Sequence, residues 1–195
     1  MQPSKAGEPA MMHRILLGSG TYFDYERPEE SAITIEDIAY GLAFACRFGG
    51  QCREPKSGKR VFYSVAQHCV LMSLAVPPEH ALEALMHEAG EATCGDVPGP
   101  LKALCPDFKK IEKHCEAAAC ARFGVSPSDG SKDLIKRFDL RMLATERRDL
   151  MPWDCQPWSA LDGIEPLPGP ITPWSAEDAA QAFLVRFAEL STRRP

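Results

Sequence analysis

Residues 86–96, with the sequence MHEAGEATCGD, place one imidazole and three carboxylates close together in the chain. Apolar residues at the spacing of one helix stripe precede and overlap this stretch: Leu82, Leu85, Met86 and Ala89. His87 and Glu91 are four residues apart, so a continuous helix would bring them onto one face. Polar residues opposite an apolar stripe commonly meet only water. The stretch therefore predicts a helix whose polar face is either solvated or a binding site.

The charges around this stretch favour a cation site. Residues 61–101 contain no Lys or Arg but five acidic residues, whereas the whole chain has a net charge of −5. A solvated face normally mixes both signs of charge. Carboxylates beside His87 without nearby bases are typical of a site where a metal supplies the positive charge. A plain solvated face remains the alternative.

Length and composition indicate one ordinary globular domain. The chain has 195 residues, of which 45% are hydrophobic and 25% charged. Its mild acidity and the lack of a basic run argue against a nucleic-acid polymer as partner. Residues 1–10 have no apolar signal core, and no stretch approaches membrane-spanning length, so we expect a cytoplasmic protein without a membrane partner. The eight cysteines form no CxxC pair, so we expect them to be mostly free and buried.

Capping signals and apolar periodicity predict an all-α fold. Helices are predicted to begin at the Thr34–Asp37 capping signature and to end near 47–50, and then to begin at Ser64, Pro78, Pro106, Ser131 and Ser175. The helix that begins at Pro78 would carry residues 86–96. The Pro106 helix should stop at Gly124, and the Ser131 helix should run to about Leu150. No β alternation persists.

The segments outside these helices are predicted to be irregular. Residues 1–13 form a loose end, and residues 17–28 form an irregular segment packed on the body. Residues 151–173, rich in Pro and Trp, form a surface loop that leads into the last helix.

Two further residues have open interpretations. His68 lies near the apolar side of the second predicted helix, where a core histidine is the commoner role. Asp139 falls within an apolar helix stripe, where an ionised carboxylate is costly unless it is paired or binds a metal. A salt bridge to Arg137 or Arg141 would explain it equally.

Three motifs in order resemble the HD-domain metal-dependent phosphohydrolases. They are residues 63–68 (YSVAQH), residues 87–102 (HEAGEATCGDVPGPLK) and Asp139. The likeness is greatest to the branch of bacterial 5′-deoxynucleotidases and phage dATP triphosphohydrolases, and it covers about residues 34–150. The resemblance implies a single domain over residues 1–195, a compact helical bundle with a central metal site and a core at about 34–150. Residues 151–195 would then add the Pro/Trp-rich loop and a C-terminal helix.

The resemblance also implies a ligand set: His68, His87, Glu88 and Asp139. The expected cofactor is a divalent ion such as Mn, Co, Zn or Fe, with Mg as a further candidate that accompanies the substrate. The family's doublet is His-Asp, whereas this chain has Glu88. The extra methylene displaces the carboxylate by about 1.5 Å.

The remaining site residues follow from the same resemblance. Glu91 would orient or deprotonate the attacking water, and Asp96 would assist it or protonate the leaving oxygen, although an Asx turn also explains Asp96. The expected substrate-binding residues are Arg47, Phe48, Gly50, Pro100 and Lys102. Among these, the two bases would contact phosphate and Phe48 would stack on the base, while Gly50 leaves room at the base edge.

The expected activity is hydrolysis of a deoxynucleoside triphosphate, dATP or a similar compound, into nucleoside and triphosphate. One alternative is a 5′-deoxynucleotidase that acts on monophosphates. Another is a degenerate HD domain that binds nucleotide or metal without turnover, which the Glu88 change would permit. A homo-oligomer is compatible with all three.

Overall fold

The computed structural model describes residues 13–152 and 154–192, and these form a mostly helical body. The α-helices are α1 (Ile35–Phe44), α2 (Val65–Ala75), α3 (Ala81–Met86), α4 (Glu91–Cys94), α5 (Gly99–Leu104), α6 (Pro106–Arg122), α7 (Asp129–Leu150) and α8 (Ala176–Ser191). The predicted helical class is therefore confirmed. None of the helices in the described ranges is both long and apolar enough to cross a membrane.

Three of the predicted helix starts are confirmed by their caps. Thr34 and Asp37 form a reciprocal capping box at the start of α1. The hydroxyl of Ser64 accepts from the amide of Gln67 before α2, and Ser175 caps α8 in the same way. Each cap satisfies a backbone donor that the helix itself leaves unpaired.

The start of α7 differs from the prediction. Ser128 is the N-cap, and its hydroxyl accepts from the amide of Ser131. The prediction that Ser131 caps this helix was therefore wrong by one turn. Ser131 lies inside the helix, where its own hydroxyl donates to the carbonyl of Ser128.

The helix predicted through residues 86–96 is interrupted. α3 ends at Met86, residues 87–90 form a turn, and α4 begins at Glu91. The turn has short-range bonds, with the amide of Glu91 donating to the carbonyl of Glu88 at 2.9 Å. His87 and Glu91 therefore do not share the face of one continuous helix. Gly90 lies in this turn, where a Cβ atom would come within 2.7 Å of the Glu112 carbonyl on α6, so glycine permits the close approach of the two segments.

The apolar core is centred on α2. This helix packs against α1, α3, α7 and α8, and it is buried on most sides. α8 packs against α1 and α2 through buried Phe183 and neighbouring alanines, so it belongs to the same core. The Gln67 side chain joins α2 to the C-terminal segment, because it donates to the carbonyl of Thr172 and accepts from the amide of Trp174.

The N-terminal segment contains a small β-hairpin that was not predicted. β1 (Arg14–Leu16) pairs antiparallel with β2 (Tyr22–Asp24), with Ile15 opposite Phe23. Three-residue strands are too short to show an alternating pattern. The expectation that residues 17–28 are wholly irregular was therefore wrong, and the part of the predicted loose end at residues 1–12 lies outside the described residues.

Other local expectations hold for the loop and for the free cysteines, whereas only half of the cysteines are buried, not most. Residues 154–173 contain a 3-10 turn at Ser159–Leu161 and no α-helix, as expected for a surface loop, and Trp153 lies outside the described residues. All eight cysteines are free. Four are buried, namely Cys52, Cys69, Cys115 and Cys120, whereas Cys155 is exposed.

Candidate metal centre

The predicted ligands come from three parts of the fold. His68 lies in the first turns of α2 and is fully buried. His87 and Glu88 follow the end of α3, where the helix is interrupted. Asp139 lies on α7, which packs against both α2 and α3. One ligand atom from each of the four residues lies within 4.8 Å of every other, so this group could hold a metal ion.

The two imidazoles face each other through Nε2. These nitrogens are 3.3 Å apart, and His68 Nε2 is also 3.6 Å from Asp139 Oδ1. His87 Nε2 is 3.6 Å from Glu88 Oε1. Two nitrogens bound to one tetrahedral zinc at about 2.0–2.1 Å would lie about 3.3–3.4 Å apart. The histidine spacing therefore fits shared coordination.

The outer nitrogen of each ring determines what the inner one can do. His87 Nδ1 lies 2.7 Å from the carbonyl of Ala84, which can only accept, so Nδ1 donates. His68 Nδ1 lies 2.6 Å from Glu146 Oε1, again an acceptor when the carboxylate is ionised. Burial lowers the pKa of both imidazoles, which favours their neutral forms. Both Nε2 atoms then carry a lone pair and no hydrogen, as metal binding requires.

The carboxylates of the group differ in their partners. Asp139 Oδ2 is 2.8 Å from Lys136 Nζ, and the described residues show no ion pair of Asp139 with the alternative partners Arg137 and Arg141. Burial raises the pKa of Glu88 to about 8, and the charge of Asp139 adds to this effect. Both residues keep a carboxylate oxygen directed at the imidazoles. The longer side chain of Glu88 thus reaches the group.

Glu91 lies at the start of α4 in a second buried charge cluster. Its Oε1 accepts from Lys102 Nζ at 3.0 Å, and the same ammonium is 2.8 Å from Glu112 Oε1. Burial raises the pKa of Glu91 to about 9, with further contributions from Glu88 and Asp96. Oε2 of Glu91 is buried and has no protein partner within 13–152 and 154–192. A protonated carboxyl here can donate a proton or hold a water.

Two of the other predicted site residues have unexpected partners. Arg47 is largely buried, and its Nη2 donates to Glu146 Oε2 at 2.9 Å. Lys102 is held by the two carboxylates described above. Both bases are therefore already neutralised by the protein. Asp96 is half-buried after Gly95, and the described residues show no side-chain hydrogen bond of the Asx type that was the alternative explanation for it.

The remaining predicted substrate-binding residues lie in the turn after α1 and on α5. Phe48 and Gly50 belong to the turn Arg47–Gly50, where Phe48 has the left-handed φ of 55°. The Phe48 ring lies 6.3 Å from that of Trp158 in the 151–173 loop. Gly50 is exposed, as is Pro100 on α5. A left-handed non-glycine residue is a strained feature that is common at binding sites.

No family model matches this chain. The uncharacterized protein YfdR of Escherichia coli (strain K12) is 42% identical over 177 residues, which cover 90% of this chain and 94% of YfdR. The chain belongs to the same family as YfdR. A second uncharacterized protein, from Rhodobacter capsulatus, is 34% identical over 115 residues, or 55% of this chain and 56% of that protein.

Among the buried residues that sequence reasoning missed is Glu146, which contacts His68 and Arg47. It lies seven residues after Asp139 on α7, so the two side chains are two helical turns apart on one face. Met142 and Leu150 occupy the same stripe and are buried. An acidic residue in an apolar stripe was a usable signal, and it was the same signal that marked Asp139.

Proposed function

We propose that this chain is a metal-dependent phosphohydrolase of the HD type that acts on nucleotides. The observation that carries the proposal is the pair of Nε2 atoms 3.3 Å apart, each left without a hydrogen by an outer acceptor. Two such lone pairs cannot bond to each other, and a cation satisfies both. Glu88 and Asp139 complete a donor set of imidazole and carboxylate that suits Mn, Co, Zn or Fe.

A divalent ion bound here would supply an acidified water and polarise a phosphoryl oxygen. The protein's own residues would do the rest. Glu91 is the acid–base candidate nearest in sequence to the ligands, and its Oε2, buried and without a partner in the described residues, would bond a water or leaving oxygen that reaches it. Lys102 holds Glu91 in place through Oε1.

A deoxynucleoside triphosphate is the first substrate candidate. The resemblance to dATP triphosphohydrolases supports it, with Phe48 placed to stack on a base. The loop that follows Gly50 adds two exposed cations, Lys56 and Lys59, for which the described ranges show no ion pair. Several cations are needed to neutralise a triphosphate. Attack at the α-phosphorus would release nucleoside and intact triphosphate.

A nucleoside monophosphate is the second candidate, and a specific observation favours it. Arg47 and Lys102, which the resemblance assigns to phosphate, are both engaged by buried carboxylates. A site with fewer available cations suits the smaller charge of a monophosphate. The two candidates differ in their products, so the reaction itself distinguishes them.

The test combines metal analysis with a nucleotide panel. The purified protein would be assayed for bound metal and then given dNTPs and dNMPs with added Mn, Co or Mg. Phosphorus NMR of a dATP reaction should show inorganic triphosphate, whereas orthophosphate from dAMP alone would establish the second candidate. His87→Ala and Asp139→Ala should remove both metal retention and turnover. Full metal occupancy in both variants would refute the metal site, and metal binding without turnover of any nucleotide would refute the hydrolase.

A further inference from the structure

Glu146 is a buried carboxylate on which three elements of the fold converge. Its side chain is fully buried on α7. Oε1 is 2.6 Å from His68 Nδ1 and accepts from the Tyr63 hydroxyl at 3.0 Å, while Oε2 accepts from Arg47 Nη2 at 2.9 Å. The three partners come from α2, from the segment before it and from the turn after α1. Burying a charged group costs free energy, so the position of Glu146 calls for a structural or functional explanation.

The buried guanidinium makes the ionised form of Glu146 the stable one. The Arg47 guanidinium stays charged and can only donate, so its 2.9 Å contact with Oε2 pairs it with a carboxylate. An ionised carboxylate can only accept hydrogen bonds. His68 Nδ1 must therefore carry the hydrogen, and the lone pair of His68 is on Nε2, which faces His87 and Asp139.

We propose that Glu146 is a positioning residue that fixes the tautomer and orientation of His68 for metal binding, with Arg47 as its counter-charge. A carboxylate behind a metal-binding imidazole raises the basicity of the ligand and locks its ring. The inference rests on the metal site of the proposed function but not on the identity of its substrate. It gives Arg47 a role in supporting the metal site, whereas the sequence resemblance assigns Arg47 to contact with phosphate.

The substitution Glu146→Gln separates this role from mere packing. The side chain keeps its shape, but it has one acceptor oxygen and one donor NH2 group. If the oxygen faces His68, the NH2 group opposes the Arg47 guanidinium. If the oxygen faces Arg47, the NH2 group opposes His68 Nδ1 and forces the hydrogen onto Nε2, which blocks metal binding. Either arrangement breaks one of the two charged contacts.

The first experiment titrates metal-free protein with Co²⁺ and follows both heat and the visible spectrum. Glu146→Gln should weaken Co²⁺ binding by about 10- to 100-fold. Tyr63→Phe is the matched control, because it removes a donor from the same oxygen but leaves the His68 contact intact. It should keep the wild-type Co²⁺ affinity and spectrum. Adding Arg47→Met to Glu146→Gln should recover part of the affinity, because the NH2 group then opposes no cation.

The outcomes separate the two proposals. Wild-type protein that binds no Co²⁺ would overturn the metal site and this inference together. Wild-type binding that Glu146→Gln leaves unchanged, or that Tyr63→Phe weakens equally, would overturn this inference alone.

A second measurement needs no variant and serves if Glu146→Gln does not fold. Nitrogen chemical shifts of the His68 ring in the metal-free wild-type protein report which nitrogen carries the hydrogen. Hydrogen on Nδ1 is the expected result, and hydrogen on Nε2 would overturn the inference.

Discussion

Replacing Gly41 by alanine tests how tightly the site is built into the fold. Gly41 lies in α1 opposite α4, and a Cβ atom there would meet the Ala92 carbonyl oxygen at 2.4 Å and the Ala92 Cα at 3.0 Å. These are backbone atoms, so no side-chain rotation can relieve the clash. Close carbon–oxygen contacts in proteins are about 3.3–3.6 Å. We therefore expect Gly41→Ala to push α4 away from α1 by about 1 Å.

The size of the effect follows from two opposing terms. Overpacking of this kind costs about 1–3 kcal/mol, while alanine gains about 1 kcal/mol over glycine inside a helix. The net loss is therefore up to about 2 kcal/mol. For a chain of this size, each kcal/mol lowers Tm by roughly 2–4 °C. Glu91 directly precedes Ala92 on α4. In the proposed function Glu91 is the acid–base residue, and a displacement of about 1 Å there would lower kcat by about 100-fold, so the proposed activity should fall far more than stability.

Gly130→Ala provides the matched control. Gly130 also lies in a helix, near the start of α7. A Cβ atom there would have the Ser128 hydroxyl at 4.0 Å as its nearest neighbour beyond the backbone of the helix itself. This variant should be stabilised by up to about 1 kcal/mol and keep full turnover. Thermal unfolding and nucleotide hydrolysis of both variants provide the comparison. Wild-type Tm and kcat in Gly41→Ala would refute the close packing of α1 on α4.

Three further variants test other contacts. Thr34→Ala should lower the unfolding free energy by about 1 kcal/mol in urea. The hydrogen bonds from Thr34 and Ser19 outweigh burial and lower the pKa of Asp37 below 3.8. That stabilisation is present above the pKa of Asp37 in the unfolded state and disappears as pH falls through its pKa in the folded state. In an acid titration, Thr34→Ala should therefore lose less unfolding free energy than the wild type; equal losses would contradict this. Lys102→Met leaves two buried carboxylates without their shared cation and should cost up to about 3–5 kcal/mol. Glu91 has a pKa of about 9 in the wild type, and loss of Lys102 raises it further, so this cost should grow as pH rises through about 9; a cost independent of pH would refute the pairing. Glu88→Asp withdraws the carboxylate by about 1.5 Å and should weaken Co²⁺ binding about tenfold, whereas tighter binding would show that Glu88 is a poor fit.

The parts of the fold that were predictable depend on local chemistry. The caps at Thr34, Ser64 and Ser175 act over three residues, so the sequence alone identifies them. The four candidate ligands were identified by the order of their motifs. The position of Asp139 in an apolar stripe also identified it as a candidate from the sequence. In the structure its Oδ1 lies 3.6 Å from His68 Nε2.

The parts that were missed depend on contacts between distant segments. The interruption after Met86 accompanies the close approach of Gly90 to the α6 backbone, and the sequence of α3 does not reveal that approach. Arg47 and Glu146 are 99 residues apart, so the sequence showed both charges but not their pairing. A periodicity argument treats each helix alone, and these features arise where helices meet.

The pairing of the site carboxylates also bears on the charge imbalance of residues 61–101. Lys102, outside that range, compensates Glu91 within it, while Lys136 and Arg47 compensate the site carboxylates Asp139 and Glu146, which lie outside it. Glu88 differs, because within the described ranges no Lys or Arg forms an ion pair with it, and burial raises its pKa to about 8. A carboxyl group without a basic partner therefore lies beside the two Nε2 lone pairs. A single cation at that point would satisfy the imidazoles and Glu88 together, which is why we favour a metal site over a solvated helix face.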